Sequence, residues 1–154
     1  AFGMRVTGLR RNPEKCEFAD EVLSIDKLDE LLPLTDFLIM ALPDSQSTRD
    51  VVNKEFLHKM NPSSMLINVG RGSAIVEDDL AEALNNRVIA AAALDTTKKE
   101  PLEKSSKLWE AKNCFITPHD SAHSLMSLPR SFNLFLENIK NLKNNRPITN
   151  LWES

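Results

Sequence analysis

The chain has 154 residues, 42% hydrophobic and 27% charged, which is one ordinary domain's worth of soluble polypeptide. A net charge of −3 offers no footprint for nucleic acid or an anionic membrane, and no stretch approaches the roughly 20 apolar residues of a membrane helix. The opening AFGMRV lacks the pattern of a signal peptide, and Cys16 and Cys114 show neither CxxC nor metal-ligand spacing, so a reducing compartment, the cytoplasm, is expected.

In chain order, the first apolar run covers residues 4–9, with Arg5, Arg10 and Arg11 around it as a solvated edge. A weaker run follows at 21–25, then stronger ones at 36–42, 65–69, 88–94 and 113–117. Most are continuous rather than alternating, which predicts strands covered on both faces. Cys114 lies in the last run and reads as a small buried hydrophobe.

Helical patterns lie between these runs. In residues 51–60, Val51, Val52, Phe56, Leu57 and Met60 fall on one face. In residues 77–86, Leu80, Ala83 and Leu84 form a stripe, and Glu77, Asp78 and Asp79 crowd the first turn, where the helix dipole favours negative charge. A last helix begins near Pro129 and repeats Phe132, Phe135, Leu136, Ile139 and Leu142. Residues 144–147 break it, and Leu151 and Trp152 in the tail either dock on another domain or fray.

Strand alternating with helix predicts an α/β fold with a parallel sheet. Such a nucleotide-binding domain usually opens with a strand, a glycine-rich turn and a helix N-terminus that holds pyrophosphate. This chain has four glycines (Gly3, Gly8, Gly70 and Gly72) and no GxGxxG. Its opening, AFGMRVTGLRR, reads as the end of a helix entering a second strand.

Three strand ends carry chemistry: Gly70-Arg71-Gly72, then Asp95 with Glu100-Pro101 shortly after, then Thr117-Pro118-His119. In a parallel sheet all three ends face the same ligand crevice. Arginine grips a carboxylate through two parallel hydrogen bonds. Histidine gives or takes a proton at a carbonyl oxygen, and an acid beside it stabilises the protonated ring. Together they suit a small keto or hydroxy acid. Singly, Arg71 reads as a surface charge and Asp95 as a turn residue. His119 and His123 lack the third ligand a metal site needs, and His58 reads as a solvated helix residue.

The order and spacing of five segments resemble the D-isomer-specific 2-hydroxyacid dehydrogenases. These are AFGMRV, ALPDSQSTRDVVNKEFLHKM, MLINVGRGSAIVEDDLAEAL, AAALDTTKKEPLEKSSKLW and NCFITPHDSA. The resemblance runs over nearly the whole chain. It implies a partial Rossmann-type doubly wound parallel sheet in residues 1–122, with the first strand and glycine loop absent. Residues 123–154 would form a C-terminal helix and tail that packs back toward a substrate domain. Arg71 resembles the arginine for the substrate carboxylate, His119 the general acid and Glu100 its carboxylate partner. Asp95 resembles the acid at the nicotinamide amide, while Pro43, Val69, Gly70 and Arg71 line the cofactor cleft. Arg10 stands where the family often has an acid for the ribose of NAD, and a cation there favours the 2′-phosphate of NADP.

Some features depart from the family pattern. Asp120 replaces a small or apolar residue, and Thr96 and Thr97 replace a valine–aromatic pair. Glu100 argues against the formate dehydrogenase branch, which pairs its histidine with an amide. Without the central first strand, the strands at 4–9 and 36–42 are expected to keep unpaired edges. The resemblance therefore implies an NAD(P)-dependent oxidoreductase fragment acting on a small 2-keto or 2-hydroxy acid, a homodimer by default, with these 154 residues inactive alone. The competing expectation is a non-catalytic, truncated or partner-dependent module of the same fold.

Overall fold

A computed structural model describes residues 3–150, and the tail residues Leu151 and Trp152 lie outside the described residues. The chain divides into two compact units, Ala1–Pro118 and His119–Ser154.

Among the described residues the first unit holds six strands: β1 (Thr7–Arg10), β2 (Glu21–Ser24), β3 (Phe37–Met40), β4 (Met65–Asn68), β5 (Ala91–Leu94) and β6 (Cys114–Ile116). Its helices are α1 (Leu28–Leu31), α2 (Lys54–Lys59) and α3 (Glu77–Asn85), with short 3₁₀ turns between elements. Every pairing is parallel, as the alternation of strand and helix predicts. The strands fall into two sheets, β1-β2 and β3-β4-β5-β6. β1 and β3 do not pair, so each keeps a backbone edge without a strand neighbour among the described residues, as expected.

The strands are shorter than the apolar runs that announce them. The run at 88–94 is strand only from Ala91, because Val88 and Ile89 are spent in the turn after α3, where Ile89 packs into the core. The helix expected over 51–60 begins at Lys54, after Asn53 caps it by accepting from the Phe56 amide at 3.0 Å. Val52 is instead fully buried and pairs with Ile75 in an isolated bridge.

The core lies on one face of the four-stranded sheet. Leu66, Ala92 and Leu94 from the strands cluster with Leu57 of α2 and Leu80, Ala81 and Leu84 of α3. On the opposite face Phe37, Ile39 and Phe115 are exposed, and Ile67 and Ala93 half-buried. The expectation of cover on both faces is thus met on one only. The continuous apolar runs supply two apolar faces, while α2 and α3 supply residues to the core on one.

The second unit is built on α4 (Ser127–Lys143), two residues longer at its start than Pro129 suggests. Pro129 sits in the first turn, where a missing N–H costs nothing. The chain then turns back, and Asn138 donates to the Thr149 carbonyl and accepts from the Thr149 amide, both at 3.0 Å.

Candidate active site

The site residues of the first unit sit on loops that follow parallel strands. Arg71 follows β4, and its position is set by Asn68, a fully buried amide closing an otherwise apolar strand. The Asn68 side chain accepts from the Gly70 amide (3.1 Å) and donates to the Arg71 carbonyl (3.1 Å) and the Thr96 hydroxyl (3.3 Å). A buried amide with its groups bonded in this way fixes a loop, because any other loop path leaves polar atoms unpaired in the core. The Arg71 side chain is exposed and its guanidinium donates to the Gly70 carbonyl at 2.8 Å.

The two glycines flanking Arg71 answer to neighbouring backbone. A Cβ on Gly70 would lie 2.6 Å from both the amide nitrogen and the carbonyl oxygen of Leu42, after β3. A Cβ on Gly72 would collide with the Thr97 carbonyl and the Lys98 amide, after β5. Glycine is required at both places because neighbouring strand-end loops occupy the space.

The loop after β3 carries Pro43, which is exposed. Thr48, largely buried, donates to the Pro43 carbonyl at 2.7 Å and accepts from the Ser45 amide at 3.0 Å, holding the turn. Asp44 pairs with Arg49 at 3.1 Å and accepts from the Ser73 hydroxyl at 3.0 Å, tying this loop to the one bearing Arg71. The hydrogen bond from Arg49, then that from Ser73, holds the Asp44 carboxyl below its ordinary value, and the charge of Arg71 adds to the effect.

Asp95, buried at the end of β5, accepts from the Thr117 hydroxyl at 2.6 Å, and its amide donates to the Asn68 carbonyl at 3.0 Å. It therefore joins the ends of β4, β5 and β6. Glu100 is exposed and accepts from the Thr97 amide at 3.2 Å. Its loop is held from below by Glu77, which accepts from the Lys98 amide at 2.6 Å, and by a Lys98–Asp50 ion pair at 2.9 Å. Pro43, Val69, Gly70, Arg71, Asp95 and Glu100 thus occupy three adjoining, cross-braced loops. His119 opens the second unit, exposed, with its backbone in the left-handed region at φ 57°. Histidine is among the few non-glycine residues enriched there.

Arg10 ends β1 and is exposed, while the adjacent Arg11, read from the sequence as part of a solvated edge, donates to the Ser47 hydroxyl at 2.5 Å. That bond connects the end of the two-stranded sheet to the loop after β3. Cys114 is half-buried; burial, with a smaller push from the Glu77 charge, raises its thiol to about 11. Sequence reasoning overlooked Asn68, Thr48 and Asp44. For Asn68 a signal existed, a polar residue inside the apolar run MLINV. Among the described residues no helix is long and apolar enough to cross a membrane, and no group of three His, Cys, Asp or Glu could hold a metal ion.

Residues 1–121 match the family described as D-isomer specific 2-hydroxyacid dehydrogenase, NAD binding domain. The chain belongs to this family. A hydroxypyruvate reductase from Blautia hydrogenotrophica is 35% identical over 96% of this chain and 46% of its own length. The human glyoxylate reductase/hydroxypyruvate reductase is 40% identical over 73% of this chain and 34% of its own. The chain thus spans about half, or less, of the length of these relatives. Among solved structures, an NADPH-dependent glyoxylate/hydroxypyruvate reductase from Sinorhizobium meliloti, in complex with NADP and sulfate, is 30% identical. It superposes with a TM-score of 0.87 over 98% of this chain and 48% of that one. A family member from Aeromonas salmonicida is 33% identical, with a TM-score of 0.89 over 99% and 48%. The family assignment and the Rossmann-type parallel sheet agree with the resemblance carried by the five sequence segments.

Proposed function

We propose that the chain is the cofactor-binding part of an NAD(P)-dependent oxidoreductase that interconverts a small 2-keto acid and its 2-hydroxy acid. The observation that carries this reading is the braced loop of Arg71, which Asn68 and the two glycines hold in one conformation at the end of a parallel strand. The residues present fit a dinucleotide: a buried carboxylate at the end of β5, a turn held at Pro43, and a cation at the end of β1. Asp95, Pro43, Val69 and Gly70 would hold it, and Arg10 would favour NADP through the 2′-phosphate. Relatives named for glyoxylate and hydroxypyruvate point to those keto acids as substrates.

The bound nicotinamide supplies or accepts the hydride. Arg71 binds and orients the substrate carboxylate with its paired donors. During reduction His119 donates the proton that the carbonyl oxygen takes up, and Glu100 stabilises the protonated ring. The cytoplasm is the compartment, and a homodimer the assembly. The cofactor part spans residues 1–122, and residues 123–154 serve contact with a substrate domain. The unpaired edges of β1 and β3 favour one further reading: these 154 residues alone are inactive, or act only with a partner that completes the sheet.

The test uses the longest polypeptide encoded by the gene. It is expected to oxidise NADPH with glyoxylate or hydroxypyruvate, and His119→Ala is expected to lower turnover by about 10²–10⁴-fold. Undiminished turnover in that variant would remove His119 from the reaction. The 154-residue chain alone is expected to show no turnover and only weak NADPH binding by calorimetry; tight binding would contradict its incompleteness.

A further inference from the structure

Two acids lie against the segment that presents Arg71. Asp44 Oδ1 accepts from the Ser73 hydroxyl at 3.0 Å, and the Asp50 amide donates to the Ser73 carbonyl at 2.9 Å. The contact continues beyond them: the Val52 amide donates to the Ala74 carbonyl and the Val76 amide to the Val52 carbonyl, both at 2.9 Å. Residues 44–52 therefore run as a strap along residues 73–76, and both acids meet that segment at Ser73, next but one to Arg71.

An exposed guanidinium near two exposed carboxylates is a candidate to pair with one of them, and an arriving substrate carboxylate would then have to displace it. Neither pairing forms here. Arg49 donates to both oxygens of Asp44, from Nε at 3.1 Å and from Nη2 at 3.4 Å, on top of the bond from Ser73. Lys98 Nζ lies 2.9 Å from Asp50 Oδ1. The Arg71 guanidinium donates instead to the uncharged Gly70 carbonyl at 2.8 Å. The bonds from Arg49 and Ser73 do most to keep the Asp44 carboxyl ionised, yet the Arg71 charge also reaches it. Asp44 is thus a competing anion within electrostatic range of Arg71, with its oxygens engaged by other donors.

We infer that Arg49 keeps Asp44 from capturing Arg71 and so leaves that guanidinium open to the carboxylate of the substrate. Arg49 is a positioning residue, acting on the substrate through Asp44 and Arg71. Its role toward a keto acid rests on the function proposed above; its hold on Asp44 does not. Arginine suits the task because its planar fork fixes the plane of a carboxylate, which the point charge of a lysine leaves free to turn.

The test uses the longest polypeptide encoded by the gene, with NADPH, glyoxylate or hydroxypyruvate, and the unreactive carboxylate oxamate. Arg49→Ala is expected to raise KM for the keto acid and the inhibition constant of oxamate about fivefold, the effect of one exposed ion pair in competition. The Kd of NADPH and kcat should stay within about twofold. Adding Asp44→Asn to Arg49→Ala is expected to restore both raised constants, because the competitor loses its charge and keeps its shape. If Arg49 serves only to brace the strap, the double variant will be no better than the single one, and that result would overturn the inference, as would an Arg49→Ala variant with unchanged constants. A chemical readout is independent of activity. Phenylglyoxal reacts fastest with arginines not paired to a carboxylate, and its addition at Arg71 can be followed by peptide mass spectrometry. Labelling of Arg71 is expected to slow in Arg49→Ala and to recover in the double variant; equal rates in all three proteins would overturn the hold on Asp44. A wild-type protein that neither reduces these keto acids nor binds oxamate would overturn the proposed reaction and the substrate role of Arg49 with it, while the labelling still decides whether Asp44 turns to Arg71.

Discussion

The two parallel sheets of the first unit are built from strands of similar length, yet they are secured differently. The four-stranded sheet buries Met40, Leu66, Asn68, Ala92 and Leu94, and its strand-end loops are braced by buried polar side chains. In the two-stranded sheet no strand residue is buried. Its support includes the Arg5–Glu21 ion pair at 2.8 Å and the hydrogen bond from the Val6 amide to Asp20 at 2.7 Å, both at exposed positions. Exposed pairs of this kind contribute at most about 1 kcal/mol. The sheet that bears Arg71 and Asp95 is therefore fixed by its own packing. The sheet that bears Arg10 depends on what fills the space beside β1.

The largest expected difference comes from cutting the same side chain in each sheet. Leu66→Ala should lower the stability of the chain to urea by about 2–5 kcal/mol, because the cavity lies inside the core. Leu9→Ala, half-buried on β1, should cost about 1 kcal/mol. Equal losses would mean that the two sheets share one core. A smaller effect is expected from Gly72→Ala, about 1–3 kcal/mol, since the new methyl group forces the Thr97 backbone away. A neutral result would show that the loop after β5 yields freely. The smallest effect belongs to Ser64→Ala. Ser64 Oγ is buried without a hydrogen-bond partner, so its removal should change stability by no more than about 0.5 kcal/mol, with a gain as the favoured sign.

Much of this architecture was legible in the residues. Continuous apolar runs gave parallel strands, the acidic start of residues 77–86 gave α3, and the absence of GxGxxG gave the separation between β1 and β3. The strand limits were less legible, because Val88, Ile89 and Val52 are as apolar as strand residues while packing from turns and a bridge. The bracing by Asn68 and Thr48 escaped notice for a related reason. A polar side chain in a run or loop shows its value only when the groups it bonds, distant or backbone, are brought beside it. The uncovered face of the four-stranded sheet could not be read at all, since a sequence records that a side chain is apolar and not whether anything rests on it.

The contact between Gly72 and the Thr97 carbonyl has a consequence for how the proposed site can change. The segment carrying Arg71, proposed to anchor the substrate, and the segment carrying Glu100, proposed to support the imidazole, press backbone against backbone, with no side chain between them to absorb a shift. Neither can be retuned by itself. A new substrate preference reached through one segment must be matched by a compensating change in the other, so adaptation at this rim should proceed by paired substitutions.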